Sequence, residues 1–199
     1  MTRLAPLLKE IRGCRFCLET PDGVPLPHEP RPVLRAHKAA RICIAGQAPG
    51  TRVHATGIPF NDPSGDRLRD WMGVDRETFY DERRIAIVPM GFCFPGLDHK
   101  GGDKAPRREC APRWRDKVFA GLPNLELVLL VGQYAQSWHL GAARKKTLTE
   151  TVAAWRDYGP RTLPLPHPSW RNNVWLTRNP WFEKEVLAHL RAEVARLTS

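Results

Sequence analysis

The sequence predicts a doubly wound α/β domain, on three observations. Four short apolar runs are nearly continuous in hydrophobicity rather than alternating, as expected of parallel strands buried on both faces. Helical patterns lie between those runs, and alternation of strand and helix builds a parallel sheet. The chain has 199 residues, enough for one domain with a sizeable core, and 42% of them are hydrophobic, which excludes a disordered chain.

The strand runs are Arg41–Ala45, Ile85–Val88, Leu125–Val131 and a weaker Thr162–Leu165. Leu7–Ile11 is a helical stretch near the start of the chain. Ser64 or Asp66 is placed to cap a helix through Trp71. Pro106 occupies a first-turn position ahead of Arg107–Phe119. Thr147 with Glu150 forms a capping-box pattern for Leu148–Trp155. Asn179-Pro180 opens a long final helix whose apolar face is Phe182, Val186, Leu190, Val194 and Leu197. Residues 20–38 hold Pro21, Pro25, Pro27, Pro30 and Pro32 and read as an irregular surface connection. No internal repeat or low-complexity tract interrupts the chain, so residues 1–199 are read as a single domain.

Lys plus Arg total 31 against 21 Asp plus Glu, a net charge of +10. Such an excess draws polyanions, nucleic acid first among them, and the predominance of Arg over Lys favours phosphate and base contacts. No run approaches the roughly 18 apolar residues of a membrane helix, and the start of the chain lacks an apolar signal core. The expectation is a soluble, cytoplasmic, monomeric protein with no membrane partner. Five cysteines, an odd number, argue against a disulfide framework in a reducing compartment and leave metal or cluster ligation as the better reading.

In open α/β sheets ligands bind beyond the carboxyl ends of the strands, so the loops there are where chemistry is expected. After the first strand comes Gly46-Gln47-Ala48-Pro49-Gly50, a tight turn whose backbone N–H groups can face a ligand. It is neither the dinucleotide fingerprint nor a phosphate loop. Next, Phe60 lies in a loop between Pro59 and Gly65, where a flat ring can stack on a base. After the last strand, His167 is held between Pro166 and Pro168, followed by Ser169, Trp170 and Arg171. An imidazole held rigidly at a strand end can stabilise developing negative charge, and Trp with Arg suits a nucleic-acid contact.

The order Gly46-Gln47-Ala48-Pro49-Gly50, then Pro59-Phe60, then His167-Pro168-Ser169 resembles the uracil-DNA glycosylase superfamily, and within it the thermostable iron–sulfur branch. The resemblance covers nearly the whole chain from Leu7 onward. It implies a three-layer α/β/α fold with a central four-stranded parallel sheet, and hydrolysis of the bond joining uracil to deoxyribose in base excision repair. It further implies that Phe60 stacks on the base while His167 stabilises the departing anion. Gly46, Gln47 and Ala48 would form the pocket floor and the water-positioning loop. Ser169, Trp170 and Arg171 would press into the space vacated by the flipped nucleotide, so that the partner is DNA holding uracil or an abasic site.

Cys14 and Cys17 form a C-x2-C pair, and Cys93 and Cys110 follow as a wider pair. Four thiolates suit either a 4Fe–4S cluster or a zinc ion, and spacing alone does not separate the two. The resemblance favours the cluster. Cys43 lies inside the first strand and reads as a buried thiol.

Three departures from the family pattern bear on mechanism. The iron–sulfur branch usually has an acidic residue where this chain has Gln47. Gln can orient a water but cannot act as a base, and Asp62 is the nearest alternative carboxylate. The family's base-reading Asn is Pro89 here, so base reading would fall to backbone groups around Met90 and Gly91, or to Asn61. No His occurs in Trp170–Pro180, so the covalent adduct formed by some relatives is not expected. Two other readings remain: a non-catalytic lesion- or DNA-binding protein on a glycosylase fold, and a nucleotide hydrolase or transferase. The second lacks a phosphate loop with Lys and an acidic Mg2+ cluster.

Overall fold

Four parallel strands form the centre of the molecule, β1 (Ile42–Ala45), β2 (Ile85–Ile87), β3 (Leu127–Val131) and β4 (Thr162–Leu165). Their order in the sheet is β2-β1-β3-β4, with Ile42 opposite both Ile85 and Leu127, and Val128 opposite Thr162. The computed structural model describes residues 3–199; Met1 and Thr2 lie outside the described residues.

Successive strand residues point to opposite faces, and each face meets its own apolar cluster. Cys43, Ala45, Ala86, Val88, Val128 and Leu130 pack on one side. That side is covered by α1 (Leu4–Arg12), α6 (Cys110–Ala120) and α7 (Gln133–Leu140). Ile42, Ile44, Ile85, Ile87, Leu129 and Leu163 pack on the other. There they meet α4 (Pro63–Met72), α5 (Arg76–Tyr80), α8 (Leu148–Ala153) and α10 (Ala188–Thr198), together with a π-helical turn at Phe182–Leu187. The fold is a three-layer α/β/α sandwich. Burial on both sides explains why the strands read as continuous apolar runs. Short helices α2 (Phe16–Glu19), α3 (Thr51–Thr56) and α9 (Asn173–Arg178) carry the connections.

The Thr147–Glu150 capping box forms, with both reciprocal hydrogen bonds present. The predicted face of the final helix is buried at all five positions. Two helix starts differ from the sequence expectation. Helix α4 is capped by Asp62 rather than by Ser64 or Asp66, because Pro63 takes the first helical position and the Asp62 side chain accepts from Gly65 N–H at 2.9 Å. Helix α6 begins at Cys110 rather than Arg107, so Pro112, not Pro106, is the first-turn proline. Residues 20–38 are irregular, as expected, but not a surface connection throughout: Leu26, Val33, Leu34 and Ala36 are buried. No helix among the described residues is long and apolar enough to cross a membrane.

Candidate active site

Parallel strands bring all four carboxyl ends to one edge, and the strand order places β1 between β2 and β3, each reached by a connection that leaves in the opposite direction. The cleft that opens there has a volume of about 760 Å³. That is ample for a nucleobase with its sugar and within the usual range of ligand sites. Its walls come from the turn after β1, the Pro59–Ser64 loop, the end of β2, the segment Gly101–Asp103 and the loop after β4.

Phe60 is the most constrained residue of the cleft. Its φ is +54°, a left-handed backbone that a bulky side chain adopts only when its surroundings force it. The ring stacks edge-on against buried Phe79, with centroids 6.1 Å apart, and lies over Gly46, where an added Cβ would be 3.2 Å from the ring. Gly46 therefore leaves room for the aromatic floor plate.

His167 is largely buried beside Gly132, and its carbonyl accepts from the Asn172 amide at 2.7 Å. Burial holds its imidazole below the ordinary value; Asp62 opposes that shift and Arg171 adds to it. The ring is thus neutral at neutral pH, a donor that does not first have to give up a charge. Below it, buried Gln136 donates to the carbonyls of Leu130 and Leu165, tying the ends of β3 and β4 together. Arg67 donates to the Ser169 carbonyl at 3.1 Å, and Ser169 Oγ accepts from Arg171 N–H, so the loop carrying Trp170 and Arg171 is braced at its base. Trp170 itself is 71% exposed.

Of the water-placing candidates, Gln47 lines the cleft with its Nε2 3.5 Å from the Lys104 carbonyl, leaving its oxygen as an acceptor. Asp62 also lines it, one oxygen committed to the α4 cap. Ala48 completes the turn on the cleft wall.

The expected base-reading groups are not brought to the cleft. The Asn61 carbonyl oxygen accepts from Arg76 at 3.1 Å, and Asn61 is not part of the wall. Met90 is buried and its N–H donates to the Gly46 carbonyl, while Gly91 N–H donates to the Gln47 carbonyl. Both amides serve to clamp the β1 turn and have no donor left for a base. Pro89 does line the cleft. Sequence reasoning missed the residue beneath it: Arg115, 1% exposed, donates to the carbonyls of Val88 and Pro89 at 3.0 Å and to His139 at 2.8 Å. A lone Arg in a helical pattern carries no sequence signal of that role. It also missed Asp103, which lies on the cleft wall in a segment with no strand or helix pattern.

Behind the β2 end lies a second, mostly apolar cavity, on whose wall all four predicted cysteines appear, Cys14, Cys17, Cys93 and Cys110. Cys110 Sγ accepts from Phe92 N–H at 3.4 Å. Burial pushes Cys17 up to about 11 and Cys93 and Cys110 up to about 12, and neighbouring thiols contribute to each. Among the described residues no three His, Cys, Asp or Glu side chains are gathered closely enough to hold a single ion. The two facts are compatible. Zinc needs its sulfurs about 2.3 Å from one point, whereas a polynuclear cluster spreads its thiolates around a larger body. Four thiols on one cavity wall are donors of the kind that a polynuclear cluster or a zinc ion takes. Cys43 is fully buried in β1, away from this wall.

Among the known proteins and families that the chain matches are the following. Lipid-A-disaccharide synthase of Xanthomonas euvesicatoria pv. vesicatoria (strain 85-10) is 26% identical over 149 residues, which is 69% of this chain and 33% of that protein. The chain spans about a third of that relative's length. The solution NMR structure of a uracil DNA glycosylase candidate from Methanosarcina acetivorans is similar with a TM-score of 0.47 and 18% identity, covering 79% of this chain and 92% of that one. The family model of the uracil DNA glycosylase superfamily matches residues 34–191, a span that contains the β1 turn, Phe60 and His167. With most of its length inside that match, the chain belongs to the uracil DNA glycosylase superfamily.

Proposed function

We propose that the protein is a DNA glycosylase that flips uracil, and other deaminated bases within its range, out of DNA and hydrolyses the N-glycosidic bond. The observation that carries this reading is the convergence of Phe60, His167 and the Gly46–Gly50 turn on one cleft at the carboxyl edge of the sheet.

A flipped base in that cleft meets the Phe60 ring on its face and gains the stacking lost from the duplex. Departure of the base as an anion leaves an oxocarbenium-like sugar, so both charges need support. His167, neutral and rigid, donates a hydrogen bond to the carbonyl oxygen where negative charge gathers. Gln47 and Asp62, both on the cleft wall, are the groups that would hold a water for attack on the sugar. Trp170 and Arg171, on the braced loop at the rim, enter the gap in the duplex and offset a few kcal/mol of unstacking.

Cys14, Cys17, Cys93 and Cys110 are assigned to a 4Fe–4S cluster, with zinc as the alternative. The group would supply a cross-link between α1, the chain after β2 and the start of α6. Iron and acid-labile sulfide in the purified protein support the assignment; zinc replaces it, and protein free of both metals removes it.

The function is tested by excision assays on uracil, hypoxanthine and xanthine in single- and double-stranded oligonucleotides. Release of free base at a rate set by enzyme concentration is expected. The second reading, a DNA- or lesion-binding protein without catalysis, is favoured by Gln47 and Pro89 at positions where the resembled family carries functional side chains. Binding to uracil-containing or abasic DNA with no excision of any base establishes it.

A further inference from the structure

The segment between β2 and α6 folds back as a short antiparallel turn, with Leu97 bridged to Asp103 and Lys104 N–H donating to the Gly96 carbonyl. Its returning arm lies against the β1 turn. The Lys104 carbonyl accepts from the Gln47 amide at 3.5 Å, and an Asp103 carboxylate oxygen comes within 3.0 Å of where a Cβ on Gly50 would stand. Residues 47 and 103 thereby share one wall of the cleft although 56 positions apart.

The acidic side chains nearby differ in how they are engaged. Asp62 caps α4 through Gly65 N–H. Asp98 accepts from the N–H groups of Lys100 and Gly102 and so builds the turn itself. Asp103 is exposed on the cleft wall, and its carboxylate has no hydrogen-bond partner among the described residues. A carboxylate held against a wall with its lone pairs unused is available to a substrate or a water.

We infer that Asp103 is the carboxylate that faces the reacting sugar and takes the proton of the attacking water, with Gln47 holding that water beside it. The inference rests on the glycosylase reading above. In the step, the water oxygen bonds to C1′ of the sugar and the C1′–N bond breaks with its electron pair leaving on the base. One water proton passes to Asp103, and His167 donates a hydrogen bond to the base anion, which later takes its proton from solvent. Partial desolvation raises the Asp103 carboxyl from its ordinary value; Arg171 on the facing loop opposes that, and Asp62 and Asp98 add to it. The acid limb of the rate profile should accordingly lie above that of a free carboxylate.

Two measurements test this on the full chain. In single-turnover excision across pH, Asp103→Asn is expected to lose about 10²–10³-fold at neutral pH and to lose the acid limb, with DNA affinity retained. An isosteric amide preserves the turn, so a merely structural Asp103 would leave both unchanged. The second measurement needs no catalysis. Oligonucleotides carrying a cationic pyrrolidine in place of the sugar are compared with a neutral tetrahydrofuran abasic site. The parent should prefer the cation by about tenfold, and Asp103→Asn should abolish the preference. Parent-like rates and preference in Asp103→Asn, with both lost instead in Asp62→Asn, overturn the inference. A parent that excises nothing overturns the glycosylase reading; the pyrrolidine comparison then still decides whether Asp103 faces the sugar.

Discussion

Gly65 and Phe60 are locked together by a lack of space: a Cβ on Gly65 would collide with the Phe60 carbonyl oxygen and lie 2.6 Å from its carbonyl carbon. The first turn of α4 is thus packed directly beneath the left-handed Phe60, and the absence of a side chain at position 65 is what lets the ring sit over Gly46. Backbone cannot give way as a flexible side chain can. Gly65→Ala is therefore expected to cost about 1–3 kcal/mol or more in folding stability and to displace Phe60 from the cleft. Denaturant melts together with uracil excision check it; a variant that melts and excises like the parent would show that Phe60 does not depend on this contact.

Buried Arg115 and half-buried His139 form a hydrogen-bonded pair with a pH signature. Burial, reinforced by Arg115, pushes the His139 imidazole down to about 3. The unfolded chain binds a proton at this site below about pH 6.5 and the folded chain does not. The pair's contribution is therefore complete above about 6.5 and is lost as pH falls toward 3. His139→Gln should flatten the pH dependence of stability, most visibly between about pH 6.5 and 5, where carboxylates stay ionised in both states. Equal slopes for parent and variant in urea melts would refute the pair's role.

Removing His167 should damage chemistry without damaging binding. A donor aimed at developing charge in a water-poor site contributes about 3–4 kcal/mol, or 10²–10³ in rate. His167→Ala should lose that much in single-turnover excision while its affinity for abasic DNA stays within a few-fold of the parent. Excision at the parent rate would move the oxyanion site elsewhere in the cleft.

DNA affinity should fall steeply with salt, since a chain of net charge +10 gripping about six phosphates has a log–log slope of about −5 on duplex DNA. Arg171→Ala should weaken binding and make the slope shallower by about 1. A flat salt response would mean that the positive charge serves solubility alone.

What the sequence by itself determined is what local pattern encodes. Continuous apolar runs such as Leu127–Val131 announce strands covered on both faces, and helical spacing from Phe182 to Leu197 announces the buried stripe of the last helix. The Gly46–Gly50 turn and His167-Pro168-Ser169 could be located because parallel strands deliver their following loops to one edge, whereas Pro59-Phe60 lies between α3 and α4 and was legible only as an aromatic in a loop. Only the tertiary structure decided the partners of individual polar groups. Asn61 is taken by Arg76, the Met90 and Gly91 amides are taken by the β1 turn, and Asp62 rather than Ser64 caps α4. It also decided that Arg115 braces the end of β2 and that Asp103 shares a wall with Gln47. The physical reason is range. Hydrophobic burial depends on a residue's periodicity among its neighbours in sequence, whereas a hydrogen bond depends on a few ångströms between atoms that can be many residues apart, and only folding sets that distance.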